Sequence, residues 1–236
     1  MIEFDELYKA MRMIKGDVSE LSEPGIPLFS FEGLPGAGKT TQIRLVAEQL
    51  ERVYGKIVYI DLPTSSSVGQ MMRALYSDLE TWKRLRKQMP WLNVLAMSVD
   101  LRLAVQEAIK SGAKYAIMSR GILSTYYYNL DAYGDIYSDA SWDQMTNDMK
   151  AFFSPTAIIF LDLPETVAHE RVVKRNRGPL REMDDVSNMK RDKKLLEDYL
   201  KRLGSIPVHY VNANAPKNEV TYSIMQFLRE IIEKDV

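Results

Sequence analysis

Residues 33–40 read Gly33-Leu34-Pro35-Gly36-Ala37-Gly38-Lys39-Thr40, the full pattern G-x-x-x-x-G-K-[ST]. Those residue types in that order suit the holding of nucleoside triphosphate phosphates. Glycines let the backbone curl until several N–H groups point at one set of oxygens. A helix beginning there adds its partial positive charge. Gly33, Pro35, Gly36, Ala37, Gly38, Lys39, Thr40 and Thr41 are thus the candidate contacts for ATP. Lys39 is placed to reach the β- and γ-phosphates and Thr40 to ligate Mg²⁺. An apolar strand before the loop and an amphipathic helix after it argue against a chance glycine-rich turn. The motif specifies a phosphate donor and leaves the acceptor open.

The surrounding elements follow from periodicity. Residues 27–31 read as a buried strand entering the loop, and 40–53 as a helix with Ile43, Val46 and Leu50 on one face and Gly55 as its stop. Further strands are expected over 56–60, 115–118, 157–161 and 208–211, with helical segments over roughly 68–111 and from about Pro216. Five alternations of strand and helix predict an α/β fold, a five-stranded parallel sheet with helices on both faces. Ligands of such sheets collect beyond the carboxyl ends of the strands. That brings forward Asp61, Ser119, Arg120, Asp162 and Asn212. Asp162 is expected to cap the helix that begins near Pro164. His169 and His209 lie on a helix and a strand without metal spacing, and no role is assigned to them.

Composition bounds the rest. A chain of 236 residues accommodates one substantial domain, and 46% hydrophobic with 27% charged residues is ordinary for a globular protein. A net charge of −1 supplies no general attraction to nucleic acid or anionic membranes, so phosphate binding must come from local clusters. The chain has no cysteine, hence no disulfide or thiolate metal site. No apolar run reaches membrane-span length and no signal-peptide core is evident, so a cytoplasmic protein is expected. Residues 1–25 read as a helical extension, with Leu7, Met11 and Ile14 at helical spacing, and 26–236 as the phosphate-loop domain.

Several segments in order resemble the thymidylate kinase family of nucleoside monophosphate kinases. Phe31-Glu-Gly-Leu-Pro-Gly-Ala-Gly-Lys-Thr-Thr-Gln42 looks like the family's opening. Ser119-Arg120, then Ser124-Thr-Tyr-Tyr-Tyr128-Asn129, is similar to its Asp-Arg-Tyr segment and the Ser-Ser…Tyr-Gln that follows. Phe160-Leu-Asp-Leu-Pro164 through Arg171 resembles its Leu-Asp-Val-Pro…Ala-x-Glu-Arg segment. The resemblance runs from about Pro27 to the C-terminus. It implies a nucleotide kinase using ATP and Mg²⁺, usually a homodimer, with a lid over about 172–185. It also implies that Arg120 holds the acceptor phosphate, that Arg102, Ser124, Tyr128 and Asn129 lie at the acceptor, and that residues 212–215, with Asn212, border the adenine. Arg171, Lys174, Arg175, Arg177 and Arg181 cluster around Gly178-Pro179 in the lid's slot. Since the phosphate loop carries no arginine, Arg175 and Arg181 are the candidates to neutralise the transferring phosphoryl group. Tyr126, Tyr127 and Tyr128, with Trp82 and Trp91, are candidates to stack a base.

Three departures from the family pattern each remove a carboxylate. Pro35 stands where the family has an acid, Ser119 replaces the acid of its Asp-Arg pair, and Asp61-Leu62-Pro63 shifts the acid of Arg-Glu-Pro by one position. Ser119 could still bind magnesium through a water, and Asp61 could replace a missing acid. The leading reading is phosphorylation of a pyrimidine deoxynucleoside monophosphate such as dTMP. A second keeps the chemistry with a nucleoside hydroxyl or modified nucleotide as acceptor and Asp61 as base. A third is a nucleotide-binding module that turns over weakly and acts through a partner.

Overall fold

The computed structural model describes residues 25–89, 92–121, 124, 155–176, 178–180, 184–204 and 206–234. Its five strands are β1 (Leu28–Glu32), β2 (Ile57–Asp61), β3 (Tyr115–Ser119), β4 (Ala157–Asp162) and β5 (Val208–Asn212). The helices are α1 (Lys39–Tyr54), α2 (Ser67–Ser77), α3 (Leu79–Gln88), α4 (Leu92–Lys110), α5 (Glu165–Arg175), α6 (Val186–Leu203) and α7 (Lys217–Lys234). All strand pairs are parallel, in the order β2-β3-β1-β4-β5. The phosphate-loop strand is therefore central, and all five of its residues are buried.

Alternation along β1 divides the core. Phe29 and Phe31 pack with Val46 and Leu50 of α1 and Leu228 of α7. Leu28 faces the other way, with Met118, Met72 of α2, Met97 of α4 and Tyr199 of α6. Burying each such side chain contributes roughly 1.5–3 kcal/mol, which holds helices against both faces of the sheet. Trp82, a candidate for base stacking, belongs to this second cluster, edge-on to Tyr76 at 4.9 Å. Its ring is core, because α3 turns its apolar stripe inward.

Each strand runs slightly beyond its sequence expectation, and the extension carries a polar residue. Phe31 of β1 and Asp61 of β2 both pair with Ser119, Glu32 pairs with Phe160, and Asp162 with Asn212. Parallel neighbours continue the ladder for one more rung, so the residues expected just past the strands are their last paired members. The helical stretch 68–111 resolves into three helices. Asp78 accepts from Thr81 N at 3.1 Å and restarts the chain as α3. Asp162 does not cap α5. Its carboxylate instead takes the Lys193 ammonium of α6 at 2.6 Å, a cation that also lies 3.9 Å from Glu165. Burial disfavours the Lys193 charge, but the bond to Asp162 and the fields of Asp162, Glu165 and Glu197 outweigh it and raise its pKa.

Candidate active site

The phosphate loop is shaped by close packing as well as by glycine's freedom. Gly33, Gly36 and Gly38 have φ of 133°, 84° and 95°. A Cβ on Gly33 would lie 2.6 Å from Leu161 O of β4, and one on Gly36 would collide with Ala168 O of α5. The loop is thereby pressed between β4 and α5. Gly36→Ala combines left-handed strain with that backbone collision, so a loss of about 2–3 kcal/mol is expected. Thermal denaturation should show a midpoint lower by roughly 4–12 °C in a chain of this size.

Gly38 caps α1 in the left-handed conformation without a side-chain hydrogen bond, and the first turn of α1 carries no acid. The open N–H groups and the helix dipole therefore face the loop uncompensated. Lys39 is buried, and its Nζ donates to Gly33 O at 2.6 Å and Leu34 O at 2.9 Å, within the curl of its own loop. Burial, then the Arg120 guanidinium, push its pKa down; Glu32 pushes it back up and Arg175 down again, leaving it at about 7 against an ordinary 10.5.

A cavity of about 510 Å³ opens over this loop. Pro35, Gly36, Ala37, Gly38, Lys39, Thr40 and Thr41 form one wall. Opposite lie Ser119 and Arg120, from the end of β3. Arg120 has φ 66°, a left-handed conformation rarely adopted by residues other than glycine, and its N–H donates to Phe31 O at 3.1 Å. The chain thus turns sharply off the sheet at the residue that lines the cavity. Arg171 and Arg175 stand four residues apart on one face of α5 and close a third side. Arg171 also donates to Ala213 O at 3.1 Å, tying α5 to the turn after β5.

Ala213, Ala215, Lys217 and Val220 make the last wall, together with Gln42. Gln42 is buried, donates to Lys217 O at 3.2 Å and accepts from Thr221 Oγ1 at 2.7 Å, which locks α1 to α7. Asn212 itself is turned away: its Oδ1 accepts from Asn214 N at 3.0 Å, and its neighbours reach the cavity.

Other expected residues fall elsewhere. Asp61 ends the edge strand beside Ser119 and is exposed, outside the cavity lining. Arg102, half-buried on α4, is also outside it. Its neighbour Asp100 is fully buried and accepts from Thr64 N at 2.6 Å, Thr64 Oγ1 at 2.5 Å and Ser66 Oγ at 2.5 Å. Ser66 in turn caps α2, so Asp100 fixes the loop after β2. Ser124 is buried, its hydroxyl donating to Glu32 Oε2 at 2.7 Å. Tyr126, Tyr127, Tyr128, Asn129, Trp91, Arg177, Arg181 and the extension over 1–24 lie outside the described residues.

Sequence reasoning placed Arg171 in the basic cluster without giving it a contact, and passed over Gln42, Lys217 and Glu32. Arg171 was signalled by its spacing of four from Arg175, and Glu32 by being a charged residue ending an otherwise buried strand. Nothing in the local pattern marks Gln42 or Lys217.

A parallel sheet of this order, with a phosphate loop leaving its central strand and cations gathered over it, defines a P-loop nucleotide kinase. The comparison with known proteins sharpens this. The chain belongs to the thymidylate kinase family, whose sequence model matches residues 31–224. It is 28% identical over 205 residues to a probable thymidylate kinase 1 of Saccharolobus solfataricus, covering 86% of this chain and 97% of that one. It is likewise 28% identical over 207 residues to a probable thymidylate kinase of Archaeoglobus fulgidus, covering 87% and 94%. Among solved structures, the thymidylate kinase of Ehrlichia chaffeensis superposes with a TM-score of 0.55 at 20% identity, over 87% of this chain and all of that one. That likeness carries the fold. Thymidylate kinases use ATP and Mg²⁺, and the chain is a nucleotide kinase of this family.

Proposed function

We propose that the chain transfers the γ-phosphoryl group of ATP to the phosphate of a pyrimidine deoxynucleoside monophosphate, dTMP being the first candidate. The bond from Pγ to the bridging oxygen of ADP breaks, and a bond from Pγ to an acceptor phosphate oxygen forms, giving ADP and a nucleoside diphosphate. The observation that carries this reading is Arg120, turned off the sheet into the cavity that Lys39 floors. A planar, permanently charged fork suits a phosphate acceptor better than a hydroxyl.

The residues present fit ATP. Left-handed glycines, the start of α1 without a side-chain cap, and Lys39 suit the phosphates, and the wall at Ala213, Ala215 and Val220 offers apolar surface to a base. Thr40, exposed in the first turn of α1, would hold Mg²⁺, with Ser119 reaching it through a water. The metal supplies charge neutralisation at the phosphates. Arg175, joined by Arg171 and by Arg181, is assigned to the charge developing on the transferred group. Ser124, Tyr128, Asn129 and Arg102 are assigned to the acceptor side, Asn212 to the turn that borders the adenine, and residues 172–185 to the lid. We further propose a cytoplasmic homodimer; among the described residues no helix is long and apolar enough to cross a membrane.

A phosphate acceptor is already largely ionised near neutral pH and needs no base, which accommodates the carboxylates missing at Pro35 and Ser119. The second reading, a hydroxyl acceptor with Asp61 as base, draws support from the register that sets Asp61 beside Ser119. A panel of nucleosides and nucleoside monophosphates, assayed for ADP release with ATP and Mg²⁺, separates them. Turnover with monophosphates is expected. Turnover confined to nucleosides, and abolished in Asp61→Asn, would transfer the assignment to the second reading.

The position of the Lys39 pKa at about 7 has a consequence for ATP binding. Above that pH the free chain loses the lysine's charge, and a bound triphosphate restores it. ATP binding near pH 8 is therefore expected to take up a fraction of a proton and to weaken as pH rises. Calorimetric titration in two buffers of different ionisation enthalpy reads the uptake directly; equal binding enthalpies would refute it.

A further inference from the structure

Beneath the cavity lies a carboxylate that neither half of the reaction uses. Glu32, the last residue of β1, is wholly buried. Its Oε1 accepts from Gly121 N at 2.7 Å and from Ser30 Oγ at 3.3 Å, and its Oε2 from Ser124 Oγ at 2.7 Å. Burial pushes its pKa up, against the bonds from Ser124, Gly121 and Ser30 and the Lys39 charge, which pull it down. The other side chains of β1 are Leu28, Phe29, Ser30 and Phe31, and an aliphatic residue at its end would satisfy packing at far lower desolvation cost.

The carboxylate sits where two chain segments meet. One bond along the chain is Gly33, whose carbonyl accepts from Lys39. Across the sheet is the segment that carries Arg120. Arg120 N still pairs with the β1 backbone at Phe31 O, but the next N–H, that of Gly121, pairs with the Glu32 side chain. The switch from backbone to side-chain acceptor occurs at the left-handed Arg120, where the chain leaves the ladder. Gly121 is itself pressed onto this column: a Cβ there would lie 2.5 Å from Ser30 Oγ.

We propose that Glu32 is a positioning residue that holds the Arg120 segment, through Gly121 and Ser124, at a set distance from the phosphate loop. This rests on the assignment of Arg120 to the acceptor phosphate. Glu32 is absent from the cavity lining, so its effect on the acceptor passes through that segment. It differs in this from a residue that touches nucleotide.

A double-mutant cycle on acceptor kcat/KM at saturating ATP tests the assignment, using the monophosphate that the wild-type chain phosphorylates best. Glu32→Gln keeps an acceptor for Gly121 N–H and weakens the tie by removing its charge. It is expected to lower acceptor kcat/KM about tenfold, the scale of one charge-assisted hydrogen bond. In an Arg120→Ala background the same change should alter the constant less than about twofold, because coupled residues are not additive. Gly121→Ala, which leaves the carboxylate intact and displaces its partner, should behave likewise and serves if the Glu32 variant does not fold. Losses that persist in the Arg120→Ala background, as an effect on Lys39 or on general packing would give, overturn the proposal, and so does an unchanged constant in both variants. A wild-type chain that phosphorylates no monophosphate ends the reading of Arg120 and this proposal with it; wild-type turnover with additive losses ends this proposal alone.

Discussion

Lys39→Ala is expected to lower kcat by roughly 10²–10³-fold or more, the scale seen when one preorganised charge-stabilising donor is removed from an active site. The lysine is well placed for so large an effect. Its ammonium lies inside the curl of the loop, bonded to Gly33 O and Leu34 O, and the residue lines the cavity over that loop. It is also buried, and a charge in a poorly solvated site acts on the transferring group more strongly than one in water. The change removes the donor from two loop carbonyls, so calorimetric ATP binding and circular dichroism belong beside the rate measurement. A folded variant that still binds ATP weakly and turns over near the wild-type rate would show that the phosphates lie elsewhere.

Arg120→Gly should separate activity from stability. On the acceptor side, loss of a bidentate charged contact is expected to lower kcat/KM by roughly 10²–10³-fold, with the acceptor KM rising. On the stability side, the wild-type arginine bears left-handed strain at φ 66°, a cost of about 1 kcal/mol that glycine does not incur. The variant's melting temperature should therefore hold or rise by roughly 2–4 °C while its activity collapses. Arg120→Lys keeps the charge and loses the fork, and should fall between the two in rate. If Arg120→Gly melts well below the wild type, the arginine is chiefly a structural tie and its assignment to the acceptor fails.

The opposite trends follow from where Arg120 sits. A strand that continued its ladder would turn its next side chain toward one face of the sheet, and the left-handed turn at Arg120 takes the chain off the ladder where its side chain lines the cavity. Strain kept at such a position is consistent with a residue retained for its site at some cost in stability.

Much of this was readable along the chain. All five strands and the helix after the loop follow from apolar periodicity, because a buried parallel strand and a half-buried helix each impose a pattern on their own few residues. The readable part thinned where a side chain's role depends on distant partners. Asp162 looked like a cap for the adjacent helix, but its carboxylate pairs with Lys193 of α6, and α5 has Pro164 at its N-cap without a side-chain hydrogen bond. Ser124 matched a substrate-contact pattern, and the pattern gave no sign that its hydroxyl also donates to Glu32 from β1. Trp82 had the chemistry for stacking a base and packs in the core.

The donor half of the reaction is local. Eight consecutive residues leading from a strand into a helix carry the glycines, the lysine and the hydroxyl, and tertiary contacts from β4 and α5 add only the close packing around Gly33 and Gly36. The acceptor half is assembled across the sheet. Only the order β2-β3-β1-β4-β5 sets the end of β3 beside the phosphate loop and faces both with α5 and the start of α7. Which cations share the cavity, and which carboxylate lies beneath them, depends on pairings between strands far apart in the chain. Those pairings are decided by the packing of a whole parallel sheet between its helices, which no short pattern encodes.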